Sequence, residues 1–488
     1  MDDVGKIKSR SFWSFASLVF NSSYSAVLGF VAFFILTLKS GVYLIGIYNA
    51  VLAMMSFFNY FTNLGLAAAL VQKKEIEDKD LSTAFFIQLL LTIIVVIAGF
   101  FLTNNLFNFY KDLPRSAVSL YWSLLISFFL LSLKTIPSVL LERKIKIYQV
   151  VFVQAMENTV FYVTIIILSI LGFEIKSLTV AVLIRSILGT IAIYILNPWF
   201  PKITFSWERA KKLLAFGIPF QGNSFIAMIK DDLLIIYLGK AIGLKNLGYV
   251  TFAKKYAEFS IRIITDNINR VSFPILSRFQ KDLKLLRKSL EKILTYETVL
   301  IFPMIIGLFF VFDSLLKIIP GYYLKWGSSL TSFYFFSLSA FFVSLTTPFV
   351  NLFNSVGHVK LSVMFMIIWT ALTWILVPIF IKFFDYNGIS YAFFIMSLTF
   401  IFVFFTAKRL VEFSFRKAVF PSLKALFAII IYLLIVRIVS LNIFHNIFIH
   451  SIVSVLGAVL IYIFVIWKQN GPTMLEEILQ IVKKNPNG

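Results

Sequence analysis

Twelve ionisable residues sit inside stretches that are otherwise strongly apolar: Lys134, Glu157, Arg185, Lys230, Asp231, Asp232, Lys254, Lys255, Glu258, Arg262, Asp266 and Arg437. Seven are basic and five acidic. A charge at the centre of a bilayer costs about 2.5–3.5 kcal/mol on insertion scales, so each needs a partner or a water-filled cavity. These residue types suit binding and ion movement. Cations contact phosphates or acidic sugars, and carboxylates hold a proton or a metal ion. Covalent chemistry has no matching signal and no catalytic residue is expected. The chain has no Cys, which excludes a thiol nucleophile, disulfides and Cys-ligated metal. His358, His445 and His450 lie at the ends of apolar runs and make no metal site. A Gly-x-x-x-x-Gly-Lys-Ser/Thr loop is absent, so no self-encoded ATPase and no cofactor are expected.

In the run 213–238, Asn223, Ala227 and Lys230 fall near one helical face, with Asp231 and Asp232 beside them. An adjacent carboxyl pair can hold a proton or a cation; it can equally neutralise Lys230. Pro219, early in this run, removes a backbone donor and can open the helix near a cavity. In the run 245–269, Lys255, Glu258, Arg262 and Asp266 alternate in sign at helical spacing, which allows a chain of intrahelical pairs on a cavity-facing stripe. The plainer reading is mutual neutralisation. Lys134 and Arg185 have no partner in their own runs, and Glu157 could pair with either. Asn21, Ser22, Ser25, Asn49, Asn59 and Asn63 can add uncharged hydrogen bonds, although a lone Asn in a span is more often helix–helix glue.

The elements that must position these groups follow from composition. Of 488 residues, 59% are hydrophobic and 14% charged, against about 45–50% and about 25% in a soluble domain. The apolar residues come in runs of roughly 20, the length of a membrane crossing. Breaks of charge, Pro and Gly divide them into about fourteen transmembrane helices, an all-α polytopic membrane protein. The net charge of +22 is not a nucleic-acid footprint. Roughly 29 basic residues lie in the loops and helix ends on the N-terminal side and about nine on the other, the positive-inside pattern. Both termini are expected to be cytoplasmic. The first run follows Lys6, Lys8 and Arg10 like a signal peptide, but it lacks a small-residue cleavage site and is read as a retained helix.

The expected organisation is two pseudo-symmetric lobes of six helices, 1–200 and 201–410, then two further helices in 411–470 and a cytoplasmic tail, 471–488. An echo between Leu44-Ile-Gly-Ile-Tyr48 and Asn246-Leu-Gly-Tyr249, each opening a span of unusual polarity, suggests a parallel repeat. Within the second lobe, 273–293 reads as one basic amphipathic helix lying along the headgroups. Its stripe is Leu276, Phe279, Leu283, Leu286, Leu290 and Ile293. The tail 474–484 carries a weaker stripe.

Several fragments together resemble a known family. They are Gly46–Tyr48, Asn63-Leu-Gly-Leu-Ala67 leading to Val71-Gln-Lys-Lys-Glu75, and Pro137-Ser-Val-Leu-Leu-Glu-Arg-Lys144. Phe216-Gly-Ile-Pro219, Leu247-Gly-Tyr249, Gly321–Trp326 and Val271-Ser-Phe-Pro-Ile-Leu-Ser-Arg-Phe-Gln-Lys-Asp282 complete the set. In combination, over about residues 5–430, the chain resembles the polysaccharide or lipid-linked oligosaccharide flippases of the multidrug/oligosaccharidyl-lipid/polysaccharide exporter superfamily. It is most similar to the O-antigen, colanic-acid and teichuronic-acid type exporters.

The resemblance implies two lobes around a central cavity in a prokaryotic plasma (inner) membrane. Alternating access would carry a polyprenyl-diphosphate-linked glycan to the external leaflet. A proton or sodium gradient is the implied energy source, and glycosyltransferases and a polymerase are implied functional partners alongside membrane lipids. On this reading Lys134, Arg185, Lys230, Lys255, Arg262 and Asn223 contact substrate, while Asp231, Asp232, Glu157 and Glu258 serve ion coupling or gating. The Lys230-Asp231-Asp232 cluster is more charged than the family pattern. The alternatives are a multidrug or small-molecule antiporter or a peptidoglycan-precursor flippase of the same superfamily. From another class come a membrane polysaccharide polymerase or glycosyltransferase, which would need a larger loop or soluble domain than the sequence contains.

Overall fold

The computed structural model describes residues 2–110, 113–144, 146–443 and 447–483. His445 and the side chains of Asn63, Asn223, Asp266, Arg437 and His450 lie outside the described residues. All regular structure among the described residues is helical.

The chain divides into two compact units. One runs to Thr251 and includes Trp369–Trp374; the other takes Phe252–Ile368 and the chain from Ile375 onward. The first unit begins with α1 (Asp2–Lys39), α2 (Val42–Asn63), α3 (Leu66–Gln72), α4 (Asp78–Phe101) and α5 (Thr103–Phe109). It continues through α6 (Ala117–Leu133), α7 (Thr135–Arg143), α8 (Ile147–Ile170) and α9 (Glu174–Leu196) to α10 (Trp207–Phe220), α11 (Gly222–Ala241) and most of α12 (Gly243–Ala257). The second holds α13 (Phe259–Arg278), α14 (Leu283–Ile318), α15 (Tyr322–Trp326), α16 (Leu330–Ser355) and most of α17 (Val359–Phe384). It closes with α18 (Gly388–Ser397), α19 (Phe400–Leu410), α20 (Phe415–Ile443) and α21 (Ile447–Lys483).

Eleven stretches among the described residues are long and apolar enough to cross a membrane. One of them, Val359–Leu410, is 52 residues long and contains α17, α18 and α19, enough for two crossings at about 20 residues each. The expected spans 213–238 and 245–269 fall on α10–α11 and α12–α13, which are interrupted and charged and are not among the eleven. The protein is therefore all-α and crosses the membrane many times. Apolar side chains face outward where lipid replaces water: Leu90, Ile94, Ile97 and Phe101 form an exposed stripe on α4.

The interruptions have local causes. Between α2 and α3, Leu64 and Gly65 are both left-handed, with φ of 39° and 67°. Lys134 separates α6 from α7. Three residues on, Pro137 has no N–H to give the carbonyl of Leu133, four residues earlier. Tyr194 of α9 donates its hydroxyl to that oxygen at 3.0 Å. Thr190, one turn before it, donates to Leu130 O at 3.2 Å, and Asn197 donates to Pro137 O at 3.0 Å. One face of α9 thus satisfies the backbone that the break frees.

The expected amphipathic helix over 273–293 does not form as one piece. Helix α13 ends at Arg278, and Asp282 starts α14, its Oδ1 accepting from the N–H groups of Lys284 and Leu285 at 3.0 Å each. An N-cap acid satisfies first-turn donors and so begins a new helix. Leu276, Leu286, Leu290 and Ile293 are buried in protein. Four of the six residues of the stripe thus face protein, while Leu283 at the start of α14 is exposed. Deeper in this unit, Phe252 stacks on the fully buried Trp326 at 3.9 Å, and Phe312 on Phe333 at 3.8 Å.

Candidate functional site

In the first unit, Lys134 Nζ lies 2.5 Å from Glu157 Oε1. The lysine is 19% exposed and the glutamate 2%. The break at Lys134 places it at the turn between α6 and α7, and Gly189 of α9 leaves the space that the carboxyl fills. A Cβ there would lie 1.6 Å from Glu157 Oε1. Of the two cations that could take Glu157, Lys134 is the one that does. Arg185, one turn before Gly189 on α9, sits with its guanidinium 5.3 Å from the Phe161 ring centroid. It has no carboxylate partner among the described residues, and its charge reaches the hydroxyls of Tyr48 on α2 and Tyr162 on α8.

A second polar seam joins α2 to α11. Lys230 Nζ and Asp231 Oδ1 are 3.1 Å apart, 20% and 49% exposed. Asp232 is half-buried and bonded by Ser56, and Tyr60, one turn further along α2, feels the charges of both aspartates. The seam lies on the second half of a broken span, since Gln221, two residues after Pro219, separates α10 from α11.

In the second unit, Glu258 stands at the break between α12 and α13. Its carboxylate takes Lys254 at 3.8 Å and Arg262 at 3.4 Å. The pairing of Glu258 with Arg262 follows the expected alternation, and Lys254, one turn before Glu258, joins it. Lys254 also lies 4.6 Å from the Phe393 ring centroid. Lys255 and Arg262 are exposed. The polar residues of the first span act mainly as glue: Asn158 of α8 donates to Ser25 at 2.8 Å, and Ser25 donates to Asn21 at 3.2 Å.

Two features escaped sequence reasoning. Tyr48 and Tyr162 around Arg185 were indistinguishable from the other aromatic residues of their spans. Glu297, 1% exposed in α14, is in the sequence only a single charge near the start of an apolar run.

Several of the fragments quoted above meet one another in space. Arg143 Nη1 donates to the carbonyls of Leu70, Val71 and Lys73 at 2.7, 2.9 and 2.5 Å. Its Nη2 donates to Lys74 O at 2.9 Å. The fragment ending at Lys144 thereby closes the one ending at Glu75. Gly65 meets Gly217, and Gly46 meets Leu244 and Gly248, so closely that a Cβ at Gly46 would lie 1.8 Å from Leu244 O. Asn351 Nδ2 reaches Asn269 Oδ1 at 2.6 Å and Ser272 Oγ at 3.4 Å.

Residues 45–330, well over half of the chain, match the family described as polysaccharide biosynthesis protein. The chain belongs to that family. A teichuronic acid biosynthesis protein, TuaB, of Bacillus subtilis is 20% identical over 54% of this chain and 55% of its own length. The lipopolysaccharide biosynthesis protein WzxC of Escherichia coli is 21% identical over 67% of this chain and 66% of its own. The succinoglycan biosynthesis transport protein ExoT of Rhizobium meliloti is 21% identical over 55% and 54%. The match thus spans about half to two thirds of these relatives' lengths. Among solved structures, the fold is shared with the lipid II flippase MurJ in an inward closed conformation, with TM-score 0.69, 16% identity and coverage of 96% of this chain and 99% of that one. An inward-facing MATE family multidrug transporter of the MOP superfamily superposes with TM-score 0.61 and 14% identity over 81% and 95%. At these identities the likeness is one of fold. The family member described here is thus a multi-pass membrane protein of transporter fold.

Proposed function

We propose that the protein is a flippase that moves polyprenyl-diphosphate-linked oligosaccharide or polysaccharide repeat units from the cytoplasmic to the external leaflet by alternating access. The observation that carries this reading is Arg185, a guanidinium held half-buried inside a span without a carboxylate partner among the described residues. An unneutralised cation at that depth is costly unless an anion visits it, and a diphosphate takes a guanidinium bidentately. The family match and the MurJ-like fold support the same class of cargo.

Within this reading Arg185, Lys230, Lys255 and Arg262 contact the diphosphate or acidic sugars, with Asn223 beside them on its span. Lys134 is drawn to substrate only by leaving Glu157, so that pair serves as a gate. Asp231, Asp232 and Glu258 serve ion coupling or gating, with a proton or sodium ion as the coupled species. The prenyl tail stays in lipid, and no bond is made or broken. The division into lobes 1–200 and 201–410, followed by 411–470 and 471–488, belongs to the same proposal. So do the prokaryotic inner membrane, both termini in the cytoplasm, and delivery from glycosyltransferases to a polymerase.

The test is reconstitution in proteoliposomes with a fluorescent lipid-linked oligosaccharide, scored by protection from a membrane-impermeant quencher. A lipid-linked peptidoglycan precursor serves as the competing cargo. The expected result is transfer of the oligosaccharide and at least a tenfold loss in Arg185→Ala, the scale of one charge-assisted phosphate contact at about 1.5–3 kcal/mol. Transfer by folded Arg185→Ala at the wild-type rate sinks the cationic-path reading. Preference for the peptidoglycan precursor reassigns the cargo.

A further inference from the structure

Glu297 is a fully enclosed carboxyl that the proposed function leaves unused. It lies on α14 five residues beyond Lys292, at the start of a stretch without charge that lasts until Asp313. Its Oε1 accepts the hydroxyl of Thr265 on α13 at 2.9 Å, and Thr265 is itself 3% exposed. Its Oε2 is buried and finds no hydrogen-bond partner among the described residues. Apolar side chains close the surroundings. Ile264, Ile301, Ile305 and Ala340 form one cluster, and Phe302 stacks on Phe341 at 4.3 Å.

A charged carboxylate with one oxygen unpaired is costly in such a place. A proton on Oε2 removes the charge and leaves the bond from Thr265 intact. No neighbouring helix supplies a countercharge among the described residues. Helix α13 brings Thr265 and, one turn earlier, the exposed Arg262, which is engaged by Glu258. Helix α16 brings neutral Asn351, bonded to Asn269 of α13. Helix α20 brings Ser422, bonded to Thr298 at 3.0 Å, and the exposed Lys424, which lies over Phe420. Helix α21 brings Tyr462, whose hydroxyl donates to Val299 O at 2.8 Å. On its own helix, Glu291 is bonded to Arg287 and to Ser414 N, one and a half turns toward the basic end.

We propose that Glu297 is a proton-binding site that governs how α13 packs on α14. With the proton bound, Thr265 and Glu297 dock the two helices. When α13 withdraws, water enters from the Lys292 end and takes the proton from Oε2, and the carboxylate stays solvated until α13 returns. Helix α13 starts beside Glu258 and carries Arg262, so its movement carries part of the cationic path with it. This last step rests on the flippase reading; the proton site does not.

Two measurements test it on the full chain. In lipid nanodiscs at neutral pH, infrared spectroscopy should show a protonated-carboxyl stretching band that Glu297→Gln removes and that Thr265→Val shifts in frequency through loss of the hydroxyl donor. A band untouched by Glu297→Gln overturns the site, and one untouched by Thr265→Val overturns the docking contact. In proteoliposomes, a proton gradient should speed transfer of the lipid-linked oligosaccharide about fivefold or more, the lower end of ordinary coupling between sites. Glu297→Gln should lose that stimulation and keep gradient-independent exchange. Stimulation that survives in Glu297→Gln overturns the coupling. If the wild type moves no oligosaccharide at all, the flippase reading falls and the infrared bands still decide the site.

Discussion

Gly65 and Gly217 meet backbone to backbone. A Cβ on Gly65 would lie 2.3 Å from Gly217 O, and a Cβ on Gly217 would lie 2.3 Å from Leu64 O. Neither oxygen belongs to a side chain that could swing away. Gly65 also has φ of 67°, a left-handed conformation that costs any other L-residue about 1–2 kcal/mol before the overlap is counted. Gly65→Ala and Gly217→Ala should each lower the melting temperature in detergent, Gly65→Ala more so. Gly41→Ala, where nothing lies within 4 Å of the new Cβ, should stay within about 0.5 kcal/mol of wild type. Equal melting of all three variants would show that this contact does not hold α2–α3 to α10.

The pair of Lys134 and Glu157 makes a sharper demand, because both charges are largely enclosed. Removing one partner should destabilise by about 3–5 kcal/mol, whereas removing both should cost far less. Lys134→Met and Glu157→Gln are therefore expected to be more damaging singly than together, and a double-mutant cycle read by thermal unfolding measures the coupling. Gly189→Ala should resemble Glu157→Gln, since its methyl takes the position of Glu157 Oε1. Additive single-variant effects would mean that the pair does not form in the membrane.

Arg143 holds four carbonyls in the last turn of α3 and just beyond it. Arg143→Ala should leave that turn open to proteases and to amide exchange over residues 70–77. Lys has no planar fork and should restore only part of the protection. Full protection in Arg143→Lys would show that charge, rather than the donor geometry, closes the turn.

The spans, the +22 charge and the family resemblance were legible in the sequence because they depend on composition and on local runs. Partner choice between distant helices was not. The charge pattern offers Glu157 to either Lys134 or Arg185, and only the packing of α9 against both α6 and α8 decides between them. Helix breaks were half visible. Pro219 announces the one at Gln221, but nothing in the sequence marks the one at Glu258. The apolar spacing of 273–293 was correctly periodic on each side of a turn that Asp282 converts into a new helix start. Periodicity also cannot separate a lipid-facing stripe from one facing protein, and here Leu286 and Leu290 face protein. Two of the recognisable fragments prove to be places where backbone meets backbone, at Gly46 with Leu244 and at Gly65 with Gly217.

Tyr194 should matter more than an ordinary buried tyrosine. Tyr194→Phe leaves the Leu133 carbonyl without its donor, a cost of about 1–3 kcal/mol, readable as a drop in unfolding temperature. Asn197→Ala should add to it, since the two residues cap different oxygens of one bend. A neutral Tyr194→Phe would indicate that water already occupies the site.

A proline bend left unsupported would be a joint. Here Thr190, Tyr194 and Asn197 fasten the carbonyl oxygens of Leu130, Leu133 and Pro137, about one turn apart, to a neighbouring helix, which fixes the elbow at one angle. The span therefore travels as a stiff strut with a permanent crook. Flexing during any working cycle must then be borne elsewhere, where helices are interrupted without such rivets.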